Sequence, residues 1–226
     1  MKSSNKVILA LLTTVAATSV NAASINVRHE YKSHTEQHSS RIKMGDSIGN
    51  FYFSGELKFK GEDGEFMQDL KNNGWELDLG YRHKIDGTNW TIQPGMPIEG
   101  RSSGMTYKPQ LRATYALDSV KGLKLSARYR YDIKTYSDGD DTQYRHRITG
   151  NINYSIEQWK FGFEANYYNA DGYDIYDHSE ENYELNLTAG RKFGDWYPYV
   201  EFGDASTSSK SATRELRSRV GLTYSF

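Results

Sequence analysis

The chain has 226 residues, with 28 Lys and Arg against 29 Asp and Glu and no cysteine. A formal charge of −1 argues against a nucleic-acid partner, and the lack of cysteine excludes a disulfide framework and thiolate metal sites. The mean hydropathy of −0.78 resembles that of a soluble protein, but a transmembrane β-barrel averages to the same value because lipid-facing and lumen-facing residues alternate.

At the N-terminus, Lys2 and Lys6 precede and flank the apolar run "VILALLTTVAATSV", and "VNA" places small residues before a cut after Ala22. This pattern predicts a secretory signal peptide over residues 1–22 and a single β domain over 23–226. Losing Lys2 and Lys6 takes the formal charge from −1 to −3. Beyond that leader there is no run of about 18 apolar residues, so no membrane helix is expected.

The rest reads as strands with unlike faces. "SINVRHEY" sets Ile25, Val27 and Tyr31 against Arg28 and Glu30, and "RIKM" continues the alternation. "NFYFSGELKFK" opposes Phe51, Phe53, Leu57 and Phe59 to Tyr52, Ser54, Glu56, Lys58 and Lys60. "WELDLGYR" follows, then "WTIQPGM", which is weaker because Pro94 cannot donate to a ladder. "KPQLRATY", "LKLSARYRYD", "YRHRITGNINY", "WKFGFEANYY", "YELNLTAG" and "WYPYVEF" come next. The closing "RELRSRVGLTYSF" places Val220, Leu222, Tyr224 and Phe226 opposite Arg217 and Arg219, for twelve strands in all.

Connections at 32–40, 61–73, 97–107, 133–142, 168–182 and 204–213 read as long and polar, and those between them as short. Aromatics such as Trp75, Tyr81, Trp90, Tyr115, Tyr131, Tyr144, Tyr154, Trp159, Tyr167 and Trp196 fall at segment ends. Two such girdles, with short turns at one end and long loops at the other, predict an all-β, twelve-stranded antiparallel transmembrane barrel. Short turns and both termini belong on the periplasmic side of a Gram-negative outer membrane, and longer loops outside. A closed barrel is the β solution that leaves no open edge in lipid.

If the apolar faces meet lipid, the opposite faces line a lumen. Parity sends inward Arg28, Arg41, Lys43, Lys58, Lys60, Arg82, Lys108, Arg112, Lys124, Arg128, Arg130, Arg145, Arg147, Lys160, Arg217 and Arg219. The inward acids are Glu30, Glu56, Glu76, Asp78, Asp132, Glu164, Glu184, Glu201 and Glu215, so the lumen is expected to carry a surplus of about seven cations. Small barrels also fill their interiors with ion pairs, and any one arginine fits packing as well as transport. The surplus is the functional signal, because rings of Arg and Lys favour anion passage and guanidinium forks match carboxylates. Twelve strands lie between a side-chain-filled eight and an open sixteen, which suits a narrow passage for a linear anionic solute.

Other signals are weaker. "DGDD" at 138–141 lacks the spacing of a calcium loop and reads as solvated acid, part of an acidic rim. His29, His83 and His146 fall on or near apolar faces and make poor catalytic bases. No nucleophile, base and orienting group converge, as an outer-membrane barrel enzyme would need. No cofactor is implied.

The motifs "SINVRHEY", "NWTIQPGMPIE", "YKPQLRATY", "ARYRYD", "YRHRITGNINY", "PYVEFGD" and the closing "RELRSRVGLTYSF" together resemble the oligogalacturonate-specific monomeric porins, whose relatives include the sialic-acid-inducible outer-membrane channel. The likeness runs over essentially the whole mature chain. It implies a monomer that passes acidic saccharides between facing tracks of Arg and Lys. The positions it carries over are Arg28, Lys108, Arg112, Arg128, Arg130, Arg145, Arg147, Arg217 and Arg219. The expected function is passive uptake of acidic oligosaccharides, with oligogalacturonates first and sialic acid or other uronates as alternatives. The implied partners are outer-membrane lipid and lipopolysaccharide, the barrel-assembly machinery and the solute itself.

Overall fold

A computed structural model describes residues 23–61 and 64–226; the expected signal peptide lies outside the described residues. Every regular element in them is a β-strand: β1 Ser24–Lys32, β2 Gln37–Ile48, β3 Phe51–Lys60, β4 Lys71–Tyr81, β5 His83–Lys84, β6 Trp90–Gly95, β7 Ile98–Arg101, β8 Gly104–Tyr107, β9 Gln110–Ala116, β10 Leu123–Tyr136, β11 Gln143–Ile156, β12 Trp159–Asp171, β13 Glu181–Arg191, β14 Trp196–Ser208 and β15 Ser211–Ser225. Three pairs of these are single staves with a local break: β4 with β5, β6 with β7 across Met96 and Pro97, and β8 with β9 across Lys108 and Pro109. The result is twelve antiparallel staves closed into a barrel. No helix among the described residues is long and apolar enough to cross a membrane, which says nothing of crossing by strands.

Closure is made by β1 with β15, from Ser24↔Ser225 through Val27↔Leu222 to Lys32↔Arg217. The Phe226 N–H donates to the Ala23 carbonyl at 2.9 Å, so the ladder runs to the last residue. Since strand side chains alternate and the strands pair in register apart from shifts at Leu57/Phe59 and Ser206/Ser208, inward and outward sets run around most of the ring. The outward set is apolar and exposed in the isolated chain, including Ile48, Phe51, Leu79, Leu187 and Val220. The buried set is mostly polar: Glu56, Glu99, Lys108, Arg130, Asp132, Thr149, Asn166, Asn186, Glu215 and Arg217. This inversion of a soluble core is what a lipid-facing barrel requires.

Aromatic pairs collect toward the end that carries the termini: Phe51 with Tyr81 and Trp90 with Tyr115, both at 4.9 Å, and Trp196 with Tyr224 at 4.6 Å between ring centroids. A second set, Tyr131 with Tyr144 at 5.8 Å and Tyr31 with His38 at 4.8 Å, lies toward the other end. His29 and His146 sit among these outward aromatics, as parity predicts.

Loop lengths depart from expectation. Of the long connections predicted, 61–70 and 172–180 remain the longest, but the segment 98–107 is strand apart from a turn at 102–103. The expected loops at 32–40, 133–142 and 204–213 also shrink, because β1 runs to Lys32, β2 starts at Gln37, β10 runs to Tyr136, β14 to Ser208 and β15 starts at Ser211. A membrane strand needs about 9–11 residues, whereas β10 and β11 have 14 each and β15 has 15. Ends that project past the hydrocarbon meet water on both faces and lose the apolar alternation that marks a strand.

At the opposite end, the turn at 117–122 closes through Gly122, whose φ is +87° and whose carbonyl accepts from Ser155 N–H at 3.0 Å. A Cβ there would collide with the Ser155 carbonyl. Gly122→Ala is therefore expected to destabilise the barrel by about 2 kcal/mol or more. This is measurable as a lower urea midpoint for the loss of heat-modifiable gel migration; an unchanged midpoint would contradict it.

Candidate functional site

The cavities inside the barrel are lined by Arg28, Arg41, Lys43, Lys58, Lys108, Arg112, Lys124, Arg128, Arg130, Arg145 and Arg147 among the expected cations. Arg28, Arg41 and Lys58 are successive cross-strand partners on β1, β2 and β3. Arg112 pairs Arg128, and Arg130 pairs Arg147. Like charges placed directly opposite are destabilising on a sheet, so each position depends on what else reaches it.

One group is neutralised. Glu99 accepts from Lys58 at 2.9 Å and Arg101 at 2.7 Å, and from Lys108, whose ammonium also meets Glu76 at 2.6 Å. Arg41 binds Glu56 at 2.8 Å. On the far wall Asp132, 3% exposed, takes both Arg130 and Arg145 at 2.7 Å. Arg147 donates twice to Asn166 Oδ1, at 3.0 and 2.7 Å, with Glu164 farther off at 3.7 Å. Tyr168 lies under Arg145 and Arg147, at 4.9 and 5.0 Å from its ring centroid. Arg217 meets Glu184 at 3.1 Å and Asn186 at 2.8 Å. Arg219 is clamped between Glu30, at 2.6 Å, and Glu201.

A second group holds no carboxylate within 4.0 Å among the described residues. Since Arg219 engages both Glu30 and Glu201, Arg28 is left without an ion pair. Lys43 and Lys124 likewise have none. Arg112 bonds only Ser126 at 3.4 Å and Asn151 at 3.2 Å, and Arg128 only Gln110 at 3.5 Å and Thr149 at 3.2 Å, all neutral acceptors. Arg82 rests 4.9 Å from the Tyr52 ring centroid, and Lys160 5.0 Å from that of Tyr197. The cations without a carboxylate partner are thus specific, identifiable side chains.

These residues surround two cavities. The one farther from the termini, about 450 Å³, brings Arg28, Arg41, Lys43 and Lys58 from β1–β3 together with Arg130, Arg145 and Arg147 from β10 and β11, and also takes in Lys108. In a ring of twelve staves β2 and β11 are six apart, so two basic walls face each other across the lumen. The second cavity, about 330 Å³ and nearer the termini, is lined by Arg112, Lys124 and Arg128 with Tyr52, Asp78 and neutral polar groups. Arg82, Arg217 and Arg219 line neither. Sequence reasoning missed Glu99 and Arg101 because it took 97–107 for a loop; the period-2 run "IEGR" was the available signal.

The family model described as "Oligogalacturonate-specific porin protein (KdgM)" matches residues 16–226. The chain belongs to the oligogalacturonate-specific porin family. Among the relatives of this porin, the protein YiiY of Salmonella typhimurium is 32% identical over 96% of both chains. The oligogalacturonate-specific porin KdgM of Dickeya dadantii is 30% identical over 98% of this chain and 100% of its own. Among solved structures, a KdgM porin superposes with a TM-score of 0.67 at 28% identity, covering 90% of this chain and 99% of that one. A NanC porin gives a TM-score of 0.76 at 23% identity, covering 89% and 100%, and supports the fold. The chain is thus an outer-membrane porin, and its named relatives with stated roles are channels rather than enzymes.

The division into paired and unpaired cations predicts opposite outcomes on stability. Glu99→Gln removes the charge shared by Lys58, Lys108 and Arg101 and is expected to cost about 3 kcal/mol. Arg28→Gln breaks no ion pair and is expected to change stability by less than about 0.5 kcal/mol. Urea unfolding in detergent micelles, followed by tryptophan fluorescence, separates the two.

Proposed function

We propose that this porin passes acidic oligosaccharides by passive, anion-selective diffusion, with oligogalacturonates as the first substrate class. The observation that carries the reading is the pair of facing basic walls around one cavity, with Arg28, Lys43, Arg112 and Arg128 left free of carboxylates along the path. Fixed cations in a low-dielectric wall raise the local concentration of anions, and guanidinium forks give a carboxylate a bidentate seat. Paired residues such as Arg41, Lys108, Arg130 and Arg145 hold the wall together, and the unpaired ones set selectivity. The relative named for oligogalacturonate supports that substrate. The N-acetylneuraminic acid channel NanC of Escherichia coli, 27% identical over 65% of this chain, supports sialic acid as the second reading.

The chain is exported by a signal peptide over residues 1–22, inserted by the barrel-assembly machinery among lipid and lipopolysaccharide, and acts as a monomer without covalent chemistry. Single-channel recording in a planar bilayer under a salt gradient tests the proposal. The reversal potential should be that of an anion-selective pore; a cation-selective value or no conductance would sink it. Replacing Arg28, Lys43, Arg112 and Arg128 together by Gln should move the reversal potential toward zero while heat-modifiable migration stays normal.

A further inference from the structure

The cavity nearer the termini has a different chemistry from the one above it. Pro94 and Pro97 flank a place where the ladder between β4 and β6 thins to the one bridge Gly80↔Gly95. Tyr52 lies against the wall at that bridge: a Cβ at Gly95 would come 2.7 Å from its hydroxyl, and one at Gly80 would overlap the ring. Two glycines thus let a phenol ring lie on the barrel wall at the edge of the cavity.

Asp78 lines the same cavity. Among the described residues it has no ion pair within 4.0 Å and no hydrogen bond, and its Oδ1 is buried without a partner. Arg112 and Arg128 share the cavity and bond only neutral groups. An orphaned carboxylate costs stability and, as a bare charge, repels an acidic solute. It also supplies a charged acceptor that no cation holds, because Arg and Lys only donate whereas a carboxylate only accepts. Sugar hydroxyls are donors in need of acceptors.

We propose that this cavity is a saccharide subsite for one uronate unit. Arg112 and Arg128 take the carboxylate, Asp78 accepts from the ring hydroxyls, and Tyr52, flat on the glycines with Arg82 4.9 Å from its ring centroid, walls one side of the subsite. The inference rests on the reading of the chain as a porin for acidic oligosaccharides and adds discrimination of sugars from other anions. A volume of about 330 Å³ is at the small end of ligand sites, which suits one unit rather than a chain.

Charge and hydroxyl recognition predict opposite signs for Asp78→Asn. In bilayer recordings of the full-length porin, the variant should be more anion-selective yet release digalacturonate about tenfold faster, because a neutral amide oxygen replaces a charged acceptor. Glutarate, a dicarboxylate without hydroxyls, should be held as long or longer. If both solutes are held longer in the variant, Asp78 acts only as a charge and the subsite is overturned while the anion channel stands. The unmodified protein gives a second test that needs no variant to fold. A digalacturonate lacking its O2 and O3 hydroxyls should block about tenfold more weakly than the parent, and equal block overturns the proposal. A cation-selective reversal potential sinks the transport reading itself.

Discussion

The structure depends on one constraint: in hydrocarbon no backbone N–H or C=O can be left to water, so the sheet must close. The ladder of β1 with β15 does this, from Lys32↔Arg217 to Ser24↔Ser225, with Phe226 bonded back to Ala23. Once the ring is closed in register, the side of the wall on which each residue falls is no longer free. Val220 and Leu222 must face lipid, and Arg217 and Arg219 must face in.

Closure also converts the usual core into a problem of charge. The interior has few apolar side chains, and its order comes from acids shared among cations: Glu99 by Lys58, Lys108 and Arg101, and Asp132 by Arg130 and Arg145. Because acids are fewer than cations, neutralising one group leaves another exposed electrostatically. Arg28 is the clearest instance, since both nearby carboxylates are held by Arg219. Structural pairing and the proposed solute path are therefore two results of the same shortage, and Asp78 is the exception that a count of charges does not explain.

Much of this was legible in the residues. Strand count, inward parity and the girdles follow from period-2 alternation, which is strong wherever one face meets lipid and the other a wet lumen. Legibility failed where the alternation is short: β7 and β8 have four residues each beside Met96 and Pro97, so "IEGR" read as loop and Glu99 was lost with it. The family itself was recognisable from ordered motifs such as "RYRYD" and "RHRITGNINY", whose arginines the barrel brings to one wall.

The amino-acid sequence by itself determined the alternation, and with it the barrel, the inward cations and their surplus, because a side chain's face depends only on its place along a strand. Only the tertiary structure decided which cations are neutralised. Lys108 finds Glu76 and Glu99 on other staves, Arg147 finds Asn166, and Lys43 and Arg128 find no carboxylate. Those outcomes follow from the register around a closed ring and from distances across it, which no local pattern encodes.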